Sequence, residues 1–284
     1  MADRHLVDRP FSPCHRLRRR VRIEDISSRV VVPGLDFNHR PTLSEQISAA
    51  IDVALQAERA AQTPRDYLGA SRVGAACERQ LQYEYAGAPV DAGREFKGSL
   101  LRVFDAGHVF EDLAIRWLRA AGFDLVTRTA SGDQIGFAAA GGRLRGHVDG
   151  IVVAAPSHLG CPVPMLWECK TMHDASWKDT VKQGVARSKP VYAAQIALYQ
   201  AYLEPLIPGI SANPALFTAI NKDNQSLHFE SVDFDAELAQ RMSDRAVRVL
   251  DATAAHELLP RCATSSTHFV CKSCAFQDRC WSQR

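Results

Sequence analysis

The chain has no apolar run long enough to span a bilayer, which excludes a transmembrane helix and, with it, a membrane partner. It has no Gly-x-x-x-x-Gly-Lys-Ser/Thr stretch, so it carries no recognisable NTP-driven motor. No internal repeat is present, which excludes solenoids and propellers. Strong charge of one sign is also missing. The 34 Lys and Arg against 32 Asp and Glu leave a formal net charge of +2, so any surface that attracts a polyanion must be local. No obvious signal peptide opens the sequence. Cysteine, by contrast, is plentiful. Eight of them without a signal peptide point to a reducing, cytoplasmic compartment and to metal binding rather than disulfides. With 284 residues, 46% of them hydrophobic, the chain can bury one large core with appendages.

What is there is a pair of short polar motifs on apolar runs. Gly146-His147-Val148-Asp149 leads into Gly150-Ile151-Val152-Val153. Glu168-Cys169-Lys170 follows Val163-Pro164-Met165-Leu166-Trp167. Both runs read as strands, and a short connection would bring Asp149 beside Glu168. On a strand, Glu168 and Lys170 share one face while Cys169 points to the other. Two carboxylates and one ammonium then converge. Carboxylate oxygens suit Mg²⁺ or Mn²⁺. A lysine beside them can orient water or neutralise phosphate charge. This is the chemistry of metal-assisted phosphodiester hydrolysis.

Helical spacing predicts a helix over 107–121, stopped by Gly122, with His108, Glu111 and Asp112 on one side. A second helix is expected over 191–204, started by Pro190, with Gln195 and Tyr199 on one face. Further helices are expected over 43–62, 71–86 and 235–255. Strands are expected over 123–129, 133–138, 143–153, 163–170, 214–221 and 226–233. The result is an α/β core with a mixed sheet flanked by helices. Residues 173–189 read as a polar segment, either an ordinary solvated loop or helix or a flexible stretch in which His173, Lys178, Lys182, Arg187 and Lys189 could guide a single strand and Trp177 could stack on a base. Residues 1–40, with Pro10, Pro13, Pro33 and a basic run from Arg16 to Arg22, read as a poorly structured arm.

These motifs, in this order, resemble the PD-(D/E)XK nuclease superfamily and within it the RecB-like nucleases. The resemblance rests on Gly107-His108-Val109-Phe110-Glu111, Gly146-His147-Val148-Asp149, Glu168-Cys169-Lys170 and Gln195-Ile196-Ala197-Leu198-Tyr199. It runs from Ser71 to Cys280, and Val148 stands where the family has its eponymous proline. It implies a restriction-endonuclease-like fold. It also implies divalent metal held by His108, Asp149, Glu168 and the backbone carbonyl of Cys169, with Lys170, Gln195 and Tyr199 completing the catalytic set. The activity implied is DNA exonuclease action, above all at single-stranded ends, leaving a 5′-phosphate and a 3′-hydroxyl. Repair and recombination, phage DNA metabolism and CRISPR adaptation all use such nucleases, alongside a separate helicase, recombinase or integrase. The division expected is an N-terminal extension over 1–66 and a nuclease domain over 67–284.

Cys271-Lys272-Ser273-Cys274 and Cys280 form Cys-x2-Cys-x5-Cys and need a fourth ligand, whether for zinc or for a cubane iron–sulfur cluster. The layout is similar to that of the RecB-like iron–sulfur nucleases, among them the CRISPR-associated Cas-four exonucleases and AddB-type repair proteins. That resemblance implies a 4Fe-4S cluster on Cys77, Cys271, Cys274 and Cys280, joining the C-terminal region to an N-terminal helix. The competing set is zinc on Cys271, Cys274 and Cys280 with Cys262 or His268. Two rival functions stay open: a catalytically inactive DNA-binding or assembly module of the same fold, and a zinc-stapled endonuclease or resolvase.

Overall fold

The computed structural model describes residues 40–282. The basic run Arg16–Arg22 lies outside them. The described residues divide into two units, 40–47 and 48–282. In the first, the described residues begin helix α1 (Leu43–Ala61). Its start is a capping box: the Thr42 hydroxyl accepts from the Glu45 N–H, and the Glu45 carboxylate accepts from the Thr42 N–H. None of α1 is buried, so its apolar stripe stays exposed.

The second unit holds two mixed sheets flanked by helices. The larger sheet has five strands in the order β2 (Asp124–Val126), β5 (Gly150–Ala154), β6 (Met165–Met172), β7 (Ala215–Asn221) and β8 (Leu227–Val232). Neighbours are antiparallel except β6 and β7, which run parallel with Glu168 opposite Phe217 and Lys170 opposite Ala219. A parallel pair needs a long crossover. Here it consists of helices α4 (Asp174–Gln183), α5 (Val185–Ser188) and α6 (Pro190–Leu203). The smaller sheet has β4 (Leu144–His147) between β1 (Leu68–Gly69), parallel to it, and β3 (Gly136–Ala139), antiparallel.

The central strands are buried on both faces, as their apolar composition requires. On one face Leu166, Phe217 and Ala219 pack with Ile196 and Leu198 of α6 and with Val249 and Leu250 of helix α7 (Ala236–Ala254). On the other, Trp167, Cys169 and Ile220 pack with Ala114 and Leu118 of helix α3 (Gly98–Ala120). Trp167 is fully buried, and its indole N–H donates to the Thr218 hydroxyl at 2.9 Å. Trp167→Ala is expected to cost about 3–5 kcal/mol in urea unfolding, because it empties the centre of this face.

Four expectations change. The run 143–153 is two strands in different sheets. At the break, the buried Val148 donates its N–H to Ile135 O at 2.9 Å, holding the chain to the smaller sheet before Asp149 enters the larger one. The helix expected over 71–86 begins only at Glu78, as α2 (Glu78–Tyr85). Upstream, Gly74 lies against α6, where a Cβ would stand 2.8 Å from the Ala194 Cβ. The segment 173–189 is helical: α4 is capped by His173, which accepts from the Ser176 N–H, and α5 follows. Trp177 packs onto the core and donates to Ala219 O at 3.0 Å, so it is not available to stack on a base. Lys178 and Lys189 pair with Asp174 and Asp179. The His108 helix also starts earlier than expected, at Gly98. Among the described residues no helix is long and apolar enough to cross a membrane.

Candidate active site

The sheet switch places Asp149 immediately before β5, next to β6. Its Oδ2 accepts the Cys169 N–H at 2.8 Å and lies 3.8 Å from Lys170 Nζ. Glu168 and Lys170 point to the α6 side of the sheet, while Cys169 joins the α3 side, as alternation requires. Glu168 is fully buried. Its Oε1 accepts from Gln195 Nε2 at 2.6 Å and from Lys170 Nζ. Its Oε2 is buried without a hydrogen-bond partner. Lys170 Nζ also donates to Cys169 O at 3.2 Å and sits 5.5 Å from the centre of the Tyr192 ring.

Helix α6 presents Tyr192, Gln195 and Tyr199 at i, i+3 and i+7, one stripe facing these groups. Tyr199 is buried edge-on to Phe137 at 5.6 Å, with a side-chain hydrogen bond to Ser71. Gly146 of the first motif lies under both rings. A Cβ there would stand 2.6 Å from Phe137 and 2.8 Å from Tyr199. Gly146→Ala is therefore expected to cost about 1–3 kcal/mol by overpacking, readable in chemical denaturation, and to lower activity by displacing Tyr199.

Asp149, Glu168, Lys170 and Gln195 are thus in direct contact. His108 and Tyr199 line the same cleft of ≈1140 Å³ without touching the carboxylates through a hydrogen bond. One further group belongs there. Glu111, on α3 three residues after His108, lines the cleft as well. Burial, and then the charge of Asp149, pushes its carboxyl up to about 7. Glu168 is pushed up to about 8 by burial first and Asp149 second, with Lys170 opposing. Burial alone would lower Lys170, yet Glu168 and Asp149 raise it above the ordinary lysine value. Lys170 is therefore a held cation here, not a base. Three carboxylates facing one ammonium leave an excess of negative charge that only protons or a cation can relieve. All the donors are hard oxygens, and one, Oε2 of Glu168, is unpartnered; this set fits Mg²⁺ or Mn²⁺. Among the described residues no three His, Cys, Asp or Glu side chains are already drawn to metal-holding separation.

A second cluster lines a separate cavity. Cys77, immediately before α2, lines a small cavity with Cys262, Cys271 of helix α8 (Phe269–Lys272), Cys274, and Cys280 of helix α9 (Gln277–Ser282). The Cys262 thiol has a side-chain hydrogen bond with Cys77, and burial followed by that bond pushes it up to about 12. Burial also raises Cys274. His268 does not line the cavity; its Nδ1 accepts from the Val270 N–H at the start of α8. Polar contacts lace the region together. Gln82 accepts from the Leu259 N–H at 2.9 Å, Arg94 donates to Lys272 O at 2.9 Å, and Asp91 accepts from the Asp278 N–H at 2.6 Å. Five thiols line this cavity, and four are enough for either zinc or a cubane cluster.

No family model matches the chain, and no curated protein matches it. Among solved structures it is similar to the crystal structure of SSO0001, at 13% identity over 86% of this chain and 100% of that one, TM-score 0.46. It is also similar to an alkaline exonuclease, LHK-Exo, from Laribacter hongkongensis, at 15% identity over 72% and 93% of the two chains, TM-score 0.46. The same exonuclease in complex with dAMP gives 14% identity over 73% and 93%, TM-score 0.43.

Proposed function

We propose that this chain is a divalent-cation-dependent nuclease that hydrolyses DNA phosphodiester bonds, working as an exonuclease on single-stranded ends, with residues 67–284 as its nuclease domain. One observation carries the reading: Asp149, Glu111 and Lys170 line one cleft, and the fully buried Glu168, bonded to Lys170 through Oε1, keeps an unpartnered Oε2. Asp149 and Glu168 would hold the ion, with His108, Glu111 and the Cys169 carbonyl as further donors. When bound, Mg²⁺ or Mn²⁺ supplies charge stabilisation at the phosphate and a more acidic water. Lys170, kept cationic, neutralises charge that develops on the phosphate and donates to the attacking water. Gln195 fixes the rotamer of Glu168 by donating to Oε1, and Tyr192 braces the ammonium. The test is cleavage of an end-labelled single strand with Mn²⁺, with EDTA, and with the Lys170→Ala variant. Degradation that needs Mn²⁺ and vanishes in the variant supports the reading. Undiminished degradation by the variant removes it, and no degradation by the native protein favours the inactive DNA-binding module. A circular single strand resists cleavage if free ends are required.

The raised carboxyls give a second test. A carboxyl whose folded value lies above its unfolded value of 4.5 stabilises the protein at low pH, and that stabilisation is lost as pH rises through 7 to 8. In EDTA the protein is expected to melt lower at about pH 8.5 than at about pH 6. At neutral pH, Mn²⁺ must displace protons held by Glu111 and Glu168, facing Asp149, Asp112 and Lys170. Calorimetric titration in buffers of different ionisation enthalpy should register proton release. Binding with no proton release contradicts the site.

For the cysteine cavity we propose a 4Fe-4S cluster on Cys77, Cys271, Cys274 and Cys280. The contact between Cys262 and Cys77 favours one alternative, zinc on Cys262, Cys271, Cys274 and Cys280. A brown protein with visible absorbance supports the cluster, and a colourless protein carrying zinc supports the alternative.

A further inference from the structure

Trp177, Lys178 and Lys189 are engaged elsewhere, and neither Lys182 nor Arg187 lines the active-site cleft, so a strand entering it meets other groups. The cleft's own lining supplies them. Phe96 and Phe104 meet edge-on at 5.6 Å and are 47% and 44% exposed. Phe104 lies on α3 four residues before His108 and seven before Glu111, so the three share one helical stripe. Seven residues of helix place Phe104 roughly 10 Å along the axis from Glu111. Three arginines also line the cleft; Arg59 and Arg65 have no ion pair among the described residues, and Arg145 has only a long one. Arg59 lies 5.8 Å from the Phe96 ring centre and donates to the neutral Gln62. Arg65 and Arg145 lie 5.9 and 4.9 Å from the Tyr67 ring centre. The carboxylate nearest Arg145 is Asp66, 3.9 Å away and mostly exposed. Arg72, in the same cleft, is different: Glu84 holds its guanidinium with two bonds at 2.8 and 3.1 Å. The cleft that holds the carboxylates is therefore also lined by exposed rings and by guanidinium groups that ion pairs hold loosely or not at all, with Glu58 and Asp105 among them.

We propose that these rings and guanidinium groups are the seat of an unpaired nucleic-acid strand. Phe96 and Phe104 stack its bases, Arg59, Arg65 and Arg145 take its phosphates, and Tyr67 holds Arg65 and Arg145 in place. Flat exposed rings can reach bases only where those bases are not stacked inside a duplex, and stacking tolerates any base. The arginines neutralise phosphates that the carboxylates of the same cleft would otherwise repel. This inference rests on the nuclease reading and specifies what that site accepts.

The test compares cleavage kinetics in Mn²⁺ on labelled (dT)12 and on an abasic strand of the same length, using the full chain. Phe96→Leu with Phe104→Leu is expected to raise KM for (dT)12 about ten-fold or more while leaving kcat within about two-fold. KM for the abasic strand should not move. Phe104→Trp, which keeps a stacking surface, should retain the native KM. Arg65→Ala with Arg145→Ala should raise KM for both strands and flatten the salt dependence by roughly 1.4 in log–log slope. A double leucine variant with native KM on (dT)12, or one that loses both strands equally, overturns the inference and leaves the nuclease reading standing. Absence of any Mn²⁺-dependent cleavage by the native protein overturns both.

Discussion

Glu168→Gln is expected to lower DNA hydrolysis about a thousand-fold or more without weakening the fold. Oε1 of this carboxylate is the shared anchor of Lys170 and Gln195, and its Oε2 is the unpartnered buried oxygen. Glutamine keeps the shape but removes the charge that the ion and Lys170 require. Its effect on stability has a definite sign. The folded protein holds the Glu168 proton up to about pH 8, so the stabilisation present below 4.5 is lost as pH rises from there through about 8, and a neutral side chain avoids that loss. At about pH 8.5 in EDTA the variant should melt no lower than the native protein. A loss of activity accompanied by a large drop in melting temperature would point to a structural role only. Retained activity would show that the carboxylate is not part of the chemistry.

The second large effect concerns the thiols. Cys271→Ser is expected to abolish the visible absorbance or the bound zinc, and Cys77→Ser the visible absorbance of the cluster, each destabilising the protein by on the order of 4 kcal/mol. For a chain of this size that corresponds to about 10 °C in melting temperature. The reason lies in the topology. Residues 77–94 and 257–280 are far apart in sequence, and hydrogen bonds such as Leu259 N–H to Gln82 and Asp278 N–H to Asp91 tie them around the cavity. Closing so long a loop carries an entropy cost that a four-ligand group would offset. Limited proteolysis should cut first after residue 257 in the variants. Cys161→Ser lies outside the cavity and should change stability by no more than about 0.5 kcal/mol. Equal stability across all these variants would remove the staple.

Much of the fold was legible because strand and helix periods are local. Two-residue alternation placed Glu168 and Lys170 on one face and Cys169 on the other. The spacing of Gln195 and Tyr199 likewise put them on one stripe of α6. What failed was set by distant partners. Leu144–Ala154 is apolar enough to read as one strand, and only the bond from Val148 to Ile135 O shows where it changes sheets. Trp177 sits among lysines and acids, so sequence alone left it exposed, yet β7 offers it a carbonyl and a packed surface. Glu111 was visible at i+3 from His108, but its proximity to Asp149 arises only when α3 crosses the sheet end. Cys262 is similar: no spacing rule joins it to Cys77, and the packing of α2 beside the C-terminal segment does.

The most direct measurement is an anomalous difference map from crystals soaked in Mn²⁺. A single strong peak within coordination distance of both Asp149 and Glu168, absent from Glu168→Gln crystals soaked identically, is the expected result. A map with no peak in the cleft at saturating Mn²⁺, or with manganese bound only by residues elsewhere, would contradict the claim that these carboxylates form a cation site.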